Sequence, residues 1–81
     1  MPRKYHYLKC ETEYYQVVER GIKTFEVRRN NRNFQVFDMI VLQESVNGKK
    51  TERELPPKEI IYVLTGEEFG IQPGYCVMQV K

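Results

Sequence analysis

Three side chains have the types and the spacing that best suit chemistry on a ligand: Lys23, Glu26 and Arg28. The Lys23 ammonium is a compact point charge that suits a phosphate. Arg28 offers a planar fork that fits either a phosphate or the edge of a base. An ionised Glu26 is a pure acceptor, so it either takes the amine of a base or holds Arg28 in place. The same three residues would also serve as an internal salt-bridge cluster that fixes a strand beside a helix.

The positive charge of the chain is concentrated around these residues. The whole chain has 13 basic and 11 acidic residues, while residues 20–37 alone carry a net charge of +4 and leave −2 for the remainder. Such a patch attracts phosphates, so RNA or a nucleotide is the expected partner, and a solvated loop is the alternative. The predicted binding residues are Lys23, Glu26, Arg28, Arg29, Asn30 and Arg32, with Asn33 beside them at the rim.

Four aromatic residues near the basic segment are candidates for stacking on a base, although each is more often a core residue. They are Tyr14, Tyr15, Phe34 and Phe37. His6 is the single histidine. It has no carboxylate or nucleophile at a recognisable spacing, so we expect a hydrogen-bonded structural role for it.

One short helix and several strands must position these groups. Thr12 is a candidate N-cap of the helix, and Gly21 suits its C-terminal end. Between them, one face at helical spacing carries Tyr14, Val17 and Val18. Strands are predicted at 5–9, 24–29, 39–42, 49–55, 60–64 and 75–80, with an Asn47-Gly48 hairpin turn between the third and fourth. Many short strands with close turn signals favour a barrel. We therefore predict a mainly β (α+β) fold, a β-barrel of about six strands with one short helix after the first strand.

The alternation along the strands predicts which side chains fill the core. The expected buried residues are Phe25, Val27, Ile40, Leu42, Ile61 and Val63. Cys76, Met78 and Val80 should share one face of the last strand. Cys10 and Cys76 are expected to be unbridged, because nothing in the sequence suggests export.

The length of 81 residues suits a single domain over residues 1–81. No apolar run approaches the roughly 20 residues that span a bilayer, and no apolar signal core follows the N-terminus. Two cysteines and one histidine make no zinc pattern. We therefore expect a cytoplasmic protein with no membrane partner, no metal and no cofactor.

The segment Gly21-Ile22-Lys23-Thr24-Phe25-Glu26-Val27-Arg28 fits the pattern G-x-K-x-x-E-x-R. It resembles the signature of the ASCH domain (activating signal cointegrator homology), a branch of the PUA-like superfamily. Three segments of the chain are similar to short bacterial and phage ASCH-like proteins. They are residues 6–9, the stretch from Lys23 to Asp38, and residues 70–75. Many of those relatives have a glycine where Phe37 stands. The resemblance implies a PUA-like β-barrel whose helix-side cleft is lined by Lys23, Glu26 and Arg28, and it implies RNA binding.

Two other functions stay open. Some ASCH proteins are small amidohydrolases that act on acylated cytidines, with a lysine as base or nucleophile and a carboxylate as proton shuttle. This sequence departs from them, because those enzymes have a threonine in place of Glu26, and neither Glu67 nor Glu68 aligns with their later acidic residue. We therefore expect a binding domain rather than an enzyme. The third alternative is a protein-interaction or regulatory module.

Overall fold

A computed structural model of the chain describes residues 3–81, so Met1 and Pro2 of the predicted domain 1–81 lie outside the described residues. The elements are β1 (Tyr5–Glu11), α1 (Thr12–Glu19), β2 (Phe25–Arg29), β3 (Met39–Val46), β4 (Lys49–Glu54), β5 (Lys58–Leu64), a 3₁₀ turn (Glu67–Phe69) and β6 (Tyr75–Val80). Six strands therefore form in the described part of the chain, with one short helix directly after the first. The predicted mainly β fold class is confirmed.

The strands form one sheet that curls into a half-barrel. Their order is β1-β3-β5-β6-β2, with β4 paired to β3, and every pairing is antiparallel except β1 with β3. β3 pairs with three strands, and its apolar residues Ile40, Val41 and Leu42 are buried on both faces, as their continuous run predicts. β1 and β2 stand at the two ends of this order, and each keeps one edge without a backbone partner among residues 3–81.

The core lies inside the curve of the sheet, under α1. Cys76, Met78 and Val80 of β6 share the buried face, as predicted. Cys10 and Cys76 are both buried and unbridged, which confirms that expectation. The other buried apolar residues are Leu8, Tyr15, Val18, Phe34, Ile40, Val41, Leu42, Leu55 and Ile60.

His6 has the structural role predicted for it. Its Nε2 lies 3.0 Å from Oδ2 of the buried Asp38, and its ring packs edge-on against Phe34. Burial alone would raise the pKa of Asp38, but hydrogen bonds from His6 and from the backbone N–H groups of Lys4 and Gln35 outweigh it and lower that pKa. The Asp38 carboxylate therefore ties the loop before β3 to the start of β1.

The prediction that Phe25 and Val27 are buried is wrong. Phe25 is 46% exposed and Val27 53% exposed, while Glu26 between them is 1% exposed. Alternation correctly places Phe25 and Val27 on one face, but a period of two does not say which face turns inward. In this strand the polar face turns inward, because Glu26 finds two cationic partners there.

Ile61 is also exposed, contrary to the prediction, whereas Ile40 and Leu42 are buried as predicted. The pairing of β5 with β6 shifts register between Ile60 and Tyr62. Such an irregularity breaks the alternation of faces, so Ile60 is buried and Ile61 is not. Val63 is partly buried and packs against the core.

The helix differs from its prediction in which face is buried. Tyr15 and Val18 are buried, whereas Tyr14 is 54% exposed. Thr12 does not cap the helix: it is the first helical residue, and its hydroxyl donates to the Glu44 carboxylate at 2.8 Å. With fewer than three turns, the periodic pattern of α1 leaves the buried side ambiguous.

Gly21 ends the helix as predicted. Its φ of 75° is left-handed, its N–H donates to Val18 O at 3.0 Å, and the Ile22 N–H donates to Val17 O at 3.0 Å. These two bonds make a Schellman motif, in which glycine is favoured because it has no Cβ. The motif turns the chain directly toward Lys23.

We predict that Gly21→Ala lowers the free energy of unfolding by about 1 kcal/mol, because a side chain disfavours the left-handed backbone. A Cβ at this position meets no atom within 4 Å, so backbone strain is the only penalty. Arg20→Ala, at the neighbouring right-handed position, is the matched control. Urea unfolding measures both variants, and equal stabilities would contradict the assignment.

Candidate functional site

A cleft of about 370 Å³ opens between the C-terminal end of β1, the start of α1 and the β2 strand. Its lining includes Lys9, Glu11, Tyr14, Lys23, Glu26 and Arg28. The structure thus brings together the three residues whose chemistry stood out in the sequence. The Schellman turn positions Lys23, and the inward face of β2 positions Glu26 and Arg28.

The Glu26 carboxylate lies at the centre of the cluster, with its side chain only 2% exposed. Its Oε2 accepts from Lys23 Nζ at 3.0 Å. Its Oε1 accepts from Arg28 Nη2 at 3.0 Å and from Arg28 Nε at 3.2 Å. Removing a carboxylate from water is unfavourable unless its oxygens are paired, and here both are. The salt-bridge arrangement that the sequence left open is therefore the observed geometry, and Glu26 braces the two cations.

Arg28 also joins the free edges of β1 and β2. Its Nη1 donates to Lys9 O on β1 at 3.1 Å. Two residues earlier on β1, Tyr7 O accepts from Arg32 Nη1 at 3.2 Å. Side-chain guanidinium groups therefore occupy carbonyls that a neighbouring strand would take in a closed barrel. We call the line between β1 and β2, where these contacts lie, the seam.

The two cations of the cluster keep donors for a ligand. Lys23 is 20% exposed and Arg28 25% exposed in their side chains. An ammonium has three N–H donors, and Lys23 uses one of them on Glu26. A guanidinium has five N–H donors, and Arg28 uses three of them on protein acceptors. The trio carries a net charge of +1. Together these features make a fixed, partly exposed cationic site at the mouth of the cleft.

The remaining predicted site residues lie outside the cleft. Arg29 turns to the outer face of the sheet, where its Nη2 donates to the Tyr75 hydroxyl at 3.3 Å. Asn30 accepts from the Phe34 N–H at 3.1 Å and so shapes the following loop. Arg32 lies along the seam, beside a smaller depression of about 180 Å³ that Arg28 also lines.

Of the four aromatic candidates, Tyr15 and Phe34 belong to the core, at 1% and 3% exposure. Tyr14 and Phe37 are exposed, and Tyr14 lines the cleft. A phenol ring beside fixed cations gives the cleft an apolar wall as well as a charged one.

Glu11 is a lining residue that sequence reasoning missed. Its carboxylate accepts from the Ser45 hydroxyl and from the N–H groups of Asn47 and Gly48, and these hydrogen bonds lower its pKa. The partners are more than 30 residues away along the chain, so no local pattern could reveal the contact. Glu11 braces the β3–β4 turn against β1.

Cys10 borders the cleft, but its thiol is poorly suited to act as a nucleophile. Burial raises the pKa of its thiol, and the nearby Glu26 carboxylate raises it further. A reactive cysteine needs the opposite, a pKa lowered toward neutrality. Among residues 3–81, no group of three or more histidine, cysteine or acidic side chains is arranged to hold a metal ion. No helix in the same range has the length and apolarity needed to cross a membrane.

The chain matches a family model, described as a domain of unknown function (DUF3850), over residues 5–80. It therefore belongs to the DUF3850 family. No curated protein was found to match it.

We predict that Glu26→Gln lowers the free energy of unfolding by about 1–3 kcal/mol, because the variant leaves two partly buried cations without their counter-charge. Gln keeps the size of the side chain, so packing is preserved. Glu52→Gln is the matched control, since Glu52 is an exposed residue of β4. Chemical denaturation measures the difference, and a variant as stable as wild type would show that the cluster does not hold the fold.

Proposed function

We propose that the chain is an RNA-binding domain of the PUA-like, ASCH type, and that its cleft binds a phosphate-bearing nucleotide of RNA. The observation that carries the proposal is the pair of cations, Lys23 and Arg28, fixed on the buried Glu26 beside an open cleft. The buried cysteines suit a reducing compartment, and we propose the cytoplasm.

A phosphate fits the chemistry of this site. The cations are already ordered, so little side-chain entropy is lost when an anion arrives. The free donors of Lys23 and Arg28 supply hydrogen bonds to its oxygens. The ring of Tyr14, 54% exposed, offers a surface on which a base can stack. Because Glu26 neutralises one of the two charges, we expect modest affinity.

An amidohydrolase has less support. The Lys23 ammonium donates to Glu26 rather than standing free as a base or nucleophile. Glu67 and Glu68 lie in the exposed 3₁₀ turn and do not line the cleft. No proton shuttle from the C-terminal half therefore faces Lys23 among the residues that the structure describes.

We predict that the protein binds short single-stranded RNA and that the affinity falls as salt rises. In a plot of the logarithm of the association constant against the logarithm of the salt concentration, each contacted phosphate should add about −0.7 to the slope. Lys23→Gln should weaken binding and flatten that slope by about 0.7, since one contact is lost. Lys50→Gln, on the exposed β4 strand, should leave both unchanged. Fluorescence anisotropy of a labelled octanucleotide at several salt concentrations measures the effect. No detectable binding at low salt would refute the proposal.

One observation favours a second candidate function, association with another copy of this chain. Phe25 and Val27 on β2 and Tyr62 on β5 are 46–60% exposed on the outer face of three neighbouring strands. Among the paired residues of this face, Arg29 is the single charged group, and the Lys23 ammonium lies 5.3 Å from the ring centroid of Phe25, so two copies that meet here bring only two cations from each chain together.

If this second function is correct, the wild-type protein sediments as a dimer and Val27→Lys sediments as a monomer, because the lysine places a charge in the apolar face. Lys50→Gln serves again as the control. Analytical ultracentrifugation separates the cases, and a monomeric wild type at high concentration would exclude self-association through this face.

A further inference from the structure

The seam continues past the cleft toward the N-terminal end of β1. Beyond the small depression beside Arg32 lies a pocket of about 550 Å³, whose lining includes Arg3, Lys4, Phe37 and Asp38. Arg3 Nη2 lies 3.0 Å from Glu59 Oε2. Both Arg3 and Lys4 are exposed. The cleft and this pocket both lie along β1, the cleft at its C-terminal end and the pocket at its N-terminal end, where Asn33, the neighbour of Arg32, also lines the pocket.

The two arginines of the seam bind carbonyls that are two residues apart on β1. Lys4 O accepts from Met39 N–H on the β3 side, so the carbonyls of Tyr7 and Lys9 point to the free edge. Arg32 and Arg28 are bound to these two carbonyls. Positions two residues apart on a strand are separated by about 7 Å, which is comparable to the distance between consecutive phosphates of an extended single strand.

Phe37, in the pocket at the far end, adopts a conformation that is unusual for its type. Its φ is 80°, in the left-handed region that bulky residues rarely enter, and it is 63% exposed. Its N–H donates to Ile60 O at 2.8 Å, and the next residue, Asp38, is anchored to His6. The loop therefore holds an aromatic ring in solvent at an energetic penalty. Strain of this kind often marks a functional position.

We propose that a single-stranded RNA of roughly four nucleotides lies along the seam, from the cleft to Phe37, with consecutive phosphates on Arg28 and Arg32 and a base stacked on Phe37. The proposal rests on the proposed RNA-binding function and extends it to a second, aromatic subsite. The five residue steps from Lys9 to Lys4 span about 16 Å, or about two nucleotide steps at the arginine spacing, so three nucleotides follow this edge and a fourth lies in the cleft beyond Lys9. A site of this length lies at the lower end of those found in small barrel domains.

The features of the seam favour a single strand over a duplex. Bases in a duplex are already stacked and paired, so they cannot reach an isolated ring such as Phe37. Stacking on an aromatic ring combined with cations along the backbone is the usual way in which proteins bind single strands. Lys4 beside Phe37 supplies the cation at that end.

The test compares labelled oligouridylates of two, four and eight nucleotides by fluorescence anisotropy, with wild type and Phe37→Gly. We expect wild type to bind the tetranucleotide more tightly than the dinucleotide. The octanucleotide should bind little more tightly than the tetranucleotide, once the larger number of binding positions on it is taken into account. Phe37→Gly should bind the dinucleotide as wild type does, but the tetranucleotide about 5- to 100-fold more weakly, because one stacked base is lost. Glycine accepts a φ of 80°, so thermal melting should show an intact fold.

Two controls isolate the subsite. Phe69→Ala removes a phenylalanine of equal exposure, 63%, from the 3₁₀ turn and should leave RNA affinity unchanged. Arg32→Gln should flatten the salt dependence by about 0.7 for the tetranucleotide and leave that of the dinucleotide unchanged.

The outcomes separate this proposal from the function on which it rests. Dinucleotide binding with no gain at four nucleotides, or an unchanged tetranucleotide affinity in Phe37→Gly, overturns the seam path and leaves the cleft standing. Tighter binding of an RNA duplex than of a single strand overturns the path as well. No binding of any oligonucleotide at low salt refutes the RNA-binding function itself.

Discussion

The burial of one carboxylate, that of Glu26, is the constraint on which the rest of the structure depends. A carboxylate that is 2% exposed needs its charge paired, and Lys23 and Arg28 supply that pairing from the same short segment. The requirement turns the polar face of β2 inward. It therefore leaves Phe25 and Val27 outside, and it aims Arg28 across the seam at β1. The cleft, the exposed apolar face and the bridged edges all follow from where this one side chain points.

This arrangement couples the proposed function to stability. The cations offered to a phosphate are those that neutralise Glu26, so an anion in the cleft competes with an internal partner rather than with water alone. Glu26 has both oxygens occupied, so it is poorly placed to read the amine of a base. Under the proposed function, base selectivity would come from the aromatic residues and the shape of the cleft, since attraction of cations to the phosphates is independent of base sequence.

Local signals in the sequence predicted the features that depend on local chemistry. Gly21 and the Asn47-Gly48 turn adopt the left-handed conformations that their residue types favour, and the Met39–Leu42 run is central. The trio Lys23, Glu26 and Arg28 was identified, but its internal pairing was one of two alternatives. The errors arose where alternation alone does not decide which side chains turn inward. The inward face of β2 is set by ion pairing, and the register shift in β5 moved Ile61 out of the core.

The seam shows why the incompletely closed sheet matters. Closing a barrel by backbone hydrogen bonds would satisfy the edge carbonyls of β1, but it would leave no room for a ligand there. Here Arg28 and Arg32 satisfy Lys9 O and Tyr7 O with side chains. Each guanidinium has donors to spare after that contact, so the groups that seal the edge also make it cationic. An edge protected in this way resists pairing with another strand and at the same time presents positive charge, which is what the proposed binding of RNA requires.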